Sequence, residues 1–335
     1  MTGPAPARSD TALTRHAGIR VPLICGAMYP CSNPELVAAV SGAGGIGIVQ
    51  PISLTYVHGH DFREGLRLIR TLTPNPVGFN ALIEQSSRSY HERMVRWVSI
   101  ALEEGIRFFI TSLGNPRWVC ERVHAAGGVV YHDVTERKWA LKGRDAGADG
   151  LIGVNRRAGG HAGPLTAEAL LDQVADLGLP VVCAGGIGDP AGFATALRLG
   201  YAGAQLGTRF IATPECRASD AYKTAILQAD EDDIVWSERI TGVPVAVINT
   251  PYIQRMGLKA GRFARWMLRG RKTKHWMRTF YALKSIWQLK RASLDESGDK
   301  DYWQAGKSVA SIKSIEPAGD IVRRFAAAVT AKATA

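Results

Sequence analysis

The sequence predicts an α/β protein, a (β/α)8 TIM barrel with a C-terminal basic helical lid or flank. Three observations lead there: eight short apolar runs separated by helix-like intervals, helix-start signals at the head of several intervals, and glycine-rich turns after the seventh and eighth runs. The runs fall at 21–27, 45–50, 77–81, 106–112, 128–132, 149–154, 180–184 and 203–206. Their length suits strands, and the intervals at 34–43, 87–104, 116–126, 135–146, 166–177 and 190–199 carry helix-like patterns. Asn33-Pro34, Asn115-Pro116 and Asp189-Pro190 each set a capping residue before a proline whose fixed φ suits the first helical turn. Eight alternations imply parallel strands, and eight is the number that closes a barrel. A doubly wound sheet would need its glycine loop after the first strand. Here Gly42, Gly44, Gly45 and Gly47 sit at the end of the first helix and the start of the second strand, where they read as helix termination and close packing.

A chain of 335 residues, 46% hydrophobic, has room for one large barrel or two ordinary domains. Residues 1–17, rich in Ala, Pro, Thr and Arg, read as a flexible N-terminal arm without the apolar core of a secretory signal. The barrel is expected over 18–230, a basic helical lid over 231–300, and a segment returning to the barrel over 301–335, ending in an amphipathic helix at 318–331. No run reaches the roughly 18 apolar residues of a membrane span. The five cysteines lack CxxC spacing, so reduced thiols in a soluble, cytoplasmic protein are expected rather than a disulfide framework or zinc site.

The net charge of +11 belongs to one stretch. Between Ile240 and Leu294 there is no Asp or Glu, while twelve Lys and Arg residues run from Arg255 to Arg291. Without those twelve the remaining charges nearly balance, since Lys and Arg total 41 and Asp and Glu 30.

The chemistry of such a barrel sits at the carboxyl ends of its strands, with phosphate commonly bound after strands seven and eight. Gly185 and Gly186 follow the seventh run; Gly207 and Thr208 follow the eighth. Glycines let backbone amides approach a phosphate, and Thr208 offers a hydroxyl. After the sixth run, Arg157-Ala158-Gly159-Gly160-His161-Ala162-Gly163 sets one imidazole among small residues that leave room for a planar ligand. His161 is therefore the candidate for proton transfer. Asn80, ending the third run, can hydrogen-bond a ring edge, and Met28 can line a flat ring; helix capping and core packing are their bland alternatives. His132 ends the fifth run and is a candidate for the mouth, while His58 and His60 lack partners at metal-ligand spacing.

These residues resemble the nitronate monooxygenase family, which also contains FMN-dependent enoyl-acyl carrier protein reductases and NAD(P)H-quinone reductases. The likeness rests on Gly26-Ala27-Met28, Pro34-Glu35-Leu36 with Gly44-Gly45, Gly78-Phe79-Asn80, Ala158 to Gly163, Cys183 to Ile187 and Leu206 to Phe210. It implies FMN, with its phosphate at Gly185, Gly186, Gly207 and Thr208, its ring near Ala27, Met28 and Asn80, Gly160 as a further cofactor contact, and His161 at the reactive face. Three departures stand out: no proline precedes Met28, Asp133 takes the place of a frequent lysine at the end of strand five, and the basic segment is additional.

The expected activity is oxidation of alkyl nitronates with O2, with His161 as base. The alternative is reduction of an enoyl thioester of coenzyme A or acyl carrier protein, or of a quinone, with NAD(P)H as electron donor; the basic segment suits these anionic carriers. A third reading is a flavin-binding scaffold whose basic segment attaches to an anionic surface. The partners expected are a small-molecule substrate and no nucleic acid, and a homodimer is compatible with all three readings.

Overall fold

Leu23–Cys25, Ile46–Val49, Gly78–Leu82, Phe108–Ser112, Val129–Val134, Gly150–Val154, Val181–Ala184 and Gly203–Leu206 form eight parallel strands, β1 to β8. They close into a barrel because β8 also pairs with β1, Leu23 opposite Ala204 and Cys25 opposite Leu206. The computed structural model describes residues 9–84, 87–240, 242–259, 290–291, 293–294 and 302–330. Each strand lies within the run that predicts it or extends past it by at most two residues.

Strand alternation sorts these residues into two sets. Ile24, Ile48, Ile110, Tyr131, Ile152 and Val182 fill the lumen as one buried cluster. Their neighbours, among them Leu23, Phe79, Phe109, Val130, Leu151 and Val181, pack outward against helices. Burial on both faces is why the strands read as continuous apolar runs. Glycine makes room where the lumen is tightest. A Cβ on Gly150 would lie 2.4 Å from the Tyr131 ring.

A helix Ala12–Ala17 (α1) precedes the barrel, and Pro34–Gly42 (α2) follows β1. The interval after β2, where no helix is expected from the sequence, holds a π-type turn and then Phe62–Leu72 (α3), capped by Asp61, whose carboxylate accepts from the Arg63 and Glu64 amides. Arg88–Glu103 (α4), Arg117–Ala125 (α5), Arg137–Asp145 (α6), Ala167–Val174 (α7) and Pro190–Arg198 (α8) follow β3 to β7. Pro34 and Pro190 open their helices as expected, whereas after β4 Pro116 is itself the cap and Asn115 accepts from the Arg117 amide.

Two expectations need correction. The flexible arm expected over 1–17 is helical at 12–17: Thr11 and Thr14 cap each other, and Leu13 is fully buried, plugging the barrel floor where a Cβ on Gly203 would lie 2.4 Å from its Cδ2. Six residues are too few for periodicity to reveal a helix. The helical lid expected over 231–300 instead contains an antiparallel pair, Ile234–Ser237 (β9) and Val245–Ile248 (β10), before the short helix Pro251–Met256. Ile234-Val235-Trp236 and Val245-Ala246-Val247-Ile248 are apolar and rich in β-branched residues, which favours strands. Eight of the twelve basic residues, Arg262 through Lys284, lie outside the described residues.

The segment from Tyr302 lies against the barrel. Tyr302 and Trp303 are buried, Trp303 stacks on Tyr222 at 5.6 Å, and the Ile248 amide donates to Trp303 carbonyl at 2.9 Å. The last helix, Ala318–Thr330, packs between α2 and α8, with Phe325 against Phe193 at 5.5 Å. Fully buried Arg209 anchors the approach to it, donating to the carbonyls of Ala212 and Ser314.

Candidate active site

Alternation carries polar groups to the top of the lumen. Asn80 lies between outward Phe79 and Ala81, Gln205 between outward Ala204 and Leu206, and Asp133 two residues beyond lumen-facing Tyr131. All three therefore face inward at the carboxyl ends of β3, β8 and β5. Gln205 sits over Gly26, where a Cβ would lie 2.9 Å from its Cγ. The Gln205 Oε1 and Asp133 Oδ1 atoms are buried without a hydrogen-bond partner. Such groups carry a desolvation cost that a ligand offering donors would relieve.

Gly185 and Gly186 turn the chain away from β7 at φ of +118° and +80°, a region that favours glycine. Asn155 holds this turn, donating from Nδ2 to Gly185 carbonyl at 3.0 Å while its Oδ1 accepts the Arg157 amide at 2.8 Å. Gly207 precedes the helical turn Thr208–Ile211, and Thr208 Oγ1 accepts from the Gly306 amide at 3.0 Å, leaving the hydroxyl proton free to donate elsewhere. The amides of Gly185, Gly186 and Gly207 donate to no protein acceptor among the described residues. Three unpaired amides beside one hydroxyl form a donor set suited to a phosphate monoester.

Arg157 was not singled out from the sequence as a ligand. A Cβ on Gly186 would lie 2.5 Å from Arg157 Nε, so the guanidinium borders the same turn and pairs with Glu231, Nη1 donating at 2.9 Å. That ion pair holds the Glu231 carboxyl below its ordinary pKa. No sequence signal marks the arrangement, because the two residues lie 74 positions apart.

Met28 meets Gly207 across the mouth: a Cβ there would sit 3.5 Å from Met28 Sδ. Ala27 and Met28 are half-buried and Asn80 is nearly closed off. Thus β1 and β8 bring two of the expected ring and phosphate contacts together.

His161 lies in the loop after β6. Gly160, at φ +68°, exchanges backbone hydrogen bonds with Ala246 of β10, and Gly163 folds back so that its Cβ would meet Val154 carbonyl and Thr135. The loop is thus pinned between the hairpin and the ends of β5 and β6. His161 retains an exposed surface at the mouth, while the protein around it lowers its pKa by desolvation. The exposed surface bounds how far that effect reaches.

His132 faces away from the mouth, which corrects its candidacy for that position. Its ring lies against Gly143 of α6, Nδ1 is 2.8 Å from Thr111 Oγ1, and burial pulls its pKa down to about 4. Its alternation partner Asp133 takes the inward position instead. All five cysteines are buried and free, and no cluster of metal-ligating side chains occurs among the described residues. The cavity among Leu66, Ile69, Val77 and Ile106 lies at the amino ends of β3 and β4, opposite the mouth, and Arg67 and Glu104 at its edge pair with each other.

A family model described as nitronate monooxygenase matches residues 10–327. The (3aS,4S,5R,7aS)-5-hydroxy-7a-methyl-1-oxo-octahydro-1H-indene-4-carboxyl-CoA dehydrogenase of Mycobacterium tuberculosis is 33% identical over 263 residues, 77% of this chain and 72% of that protein. A probable nitronate monooxygenase of Staphylococcus saprophyticus is 28% identical over 289 residues, 74% of this chain and 81% of the other. Among solved structures, FabK from Thermotoga maritima superposes with a TM-score of 0.79 at 26% identity, covering 97% of this chain and 98% of that one. No described helix is long and apolar enough to cross a membrane.

Proposed function

Because this chain belongs to the nitronate monooxygenase family of oxidoreductases, we propose that it binds FMN and oxidises or reduces an acyl thioester, with His161 transferring the proton. The observation that carries the FMN reading is the donor set: unpaired amides of Gly185, Gly186 and Gly207, the Thr208 hydroxyl and the adjacent Arg157 guanidinium. It suits one terminal phosphate. The lumen-facing amide and carboxyl groups of Asn80, Gln205 and Asp133, with Ala27 packed on the lumen cluster and Met28 beside Gly207, suit the polar edge and flat face of an isoalloxazine ring.

Bound FMN supplies the acceptor, or in reverse the donor, of the hydride that the substrate loses or gains. The protein's part is the accompanying proton. His161, its pKa lowered by desolvation, is neutral near pH 7 and takes a proton from the carbon beside the thioester carbonyl, or returns one in the reductive direction. In that direction NAD(P)H is the proposed source of electrons. The thioester is supported by the CoA-thioester name of the relative at 33% identity and by the basic run from Arg255 to Arg291, which complements a phosphate-bearing carrier.

The family match and the relative at 28% identity favour a second reading, oxidation of alkyl nitronates with O2. Anaerobic mixing of the yellow protein with NADH, NADPH, a saturated acyl-CoA and an alkyl nitronate, each alone, tests both. Flavin bleaching by the nitronate alone would favour the second reading. Release of FAD, or of no flavin, from folded protein would sink both.

A further inference from the structure

We infer that Asp133 sets the substrate class of this mouth, its carboxyl hydrogen-bonding a neutral carbonyl oxygen and excluding an anionic reacting group such as a nitronate. This rests on the flavoprotein reading above and narrows it. Asp133 is the next inward position on β5 after Tyr131, which lies in the lumen cluster, and its Oδ1 is buried without a partner. The loop carrying His161 folds over the same sector, since Gly163 contacts both Val154 of β6 and Thr135, two residues past Asp133. The loop that carries His161 and the unsatisfied carboxyl of Asp133 thus lie together at the carboxyl ends of β5 and β6.

Among the described residues no cation offsets the carboxyl. Flanking strands β4 and β6 carry no titratable side chain, and His132 on β5 itself points outward to Thr111. Helices α5 and α6 lie on the outer side, and Lys142 of α6 acts on His132. The β6 loop contributes Arg156, Arg157 and His161, of which Arg157 is engaged with Glu231. Burial alone raises Asp133 from 3.8 to about 7. Near neutral pH a substantial fraction of the carboxyl keeps its proton and can donate it in a hydrogen bond to a carbonyl oxygen. The ionised fraction repels a bound anion, a penalty that a site facing a neutral carbonyl avoids.

The experiment uses FMN-loaded native protein, Asp133→Asn and Asp133→Lys, with propane-1-nitronate and crotonyl-CoA as probes. Binding is read from the perturbation of flavin absorption, without turnover, from pH 5.5 to about 8.5, a range spanning the ionisation. Native protein should show one ionisation near neutrality in the unliganded flavin spectrum, absent from Asp133→Asn. Its affinity for the nitronate should fall as pH rises. Both variants should bind nitronate at least about tenfold more tightly at the upper pH, where the like charge has been removed. Asp133→Lys should also bind crotonyl-CoA less well. Unchanged nitronate affinity in both flavin-loaded variants overturns the inference alone. A native protein that carries no flavin overturns the flavoprotein reading and this inference with it.

Discussion

The hydroxyl of Thr208 accepts a hydrogen bond from the amide of Gly306 at 3.0 Å, joining the turn after β8 to a segment 98 residues later in the chain. The contact is buried, so Thr208→Val leaves an amide without an acceptor and removes a hydroxyl from the proposed phosphate cradle. Leaving such a group unsatisfied costs about 1–3 kcal/mol. Thr208→Val should therefore unfold at lower denaturant and release FMN more readily, whereas Thr208→Ser should preserve both. Equal stability and equal flavin retention in the two variants would remove this residue from the cradle.

Leu13→Ala tests the role of the first helix. Leu13 is fully buried at the barrel floor against Gly203, and truncating a buried leucine costs about 2–5 kcal/mol. A lower urea midpoint with an unchanged slope is expected. No change would restore the picture of an arm that contributes nothing to the fold.

Asp133 also gives stability a pH dependence. Its folded pKa, raised to about 7 from 3.8, means that the native state binds the proton more tightly than the unfolded chain. The contribution is fully present below about pH 4 and is lost as pH rises through 7, at most about 4 kcal/mol over that interval. Asp133→Asn should remove this component, so the gain in stability of the variant over native protein should grow between pH 5 and about 8 and then level off. Thermal unfolding across that range checks it, and a pH-independent difference would place the carboxyl in contact with water.

His161→Ala should retain FMN and lose at least about tenfold in turnover. Desolvation lowers the imidazole pKa, so the neutral base form persists below the pH at which an ordinary histidine would be protonated. If the reaction needs that base, kcat should fall on the acid side, and the acid limb should vanish in the variant. An acid limb that survives in His161→Ala would assign it to another group, with Asp133 the first to test.

What could be read in the residues divides along physical lines. Strands buried on both faces announce themselves as apolar runs, so β1 to β8 were legible, and their order located Gly185, Gly186, Gly207 and Thr208 at the carboxyl ends. Alternation, applied residue by residue, would also have turned Asp133 inward and His132 outward. Gln205 is hidden inside an apolar run, where one amide looks like noise. Arg157 becomes visible only because folding sets it beside Gly186. The β9–β10 pair precedes a run of twelve cations, and charge carries no secondary-structure period, so Ile234 to Ile248 is absorbed into the helical segment expected over 231–300.

That run of cations provides the last test, which concerns the thioester reading. Arg269, Arg271, Lys272 and Lys274 lie outside the described residues, so the prediction rests on charge alone. Twelve cations between Arg255 and Arg291, with no acidic residue among them, create a positive field that coenzyme A or acyl carrier protein would feel and a small nitronate scarcely would. Neutralising those four together should raise KM for a CoA thioester and leave flavin content unchanged. In native protein, thioester affinity should also fall with salt, because exposed charges are screened over about 8 Å at physiological ionic strength. Nitronate kinetics should respond little to either change. If both substrates respond alike, the cations are a solvated face and carrier recognition fails, while the flavin site stands untouched by the result.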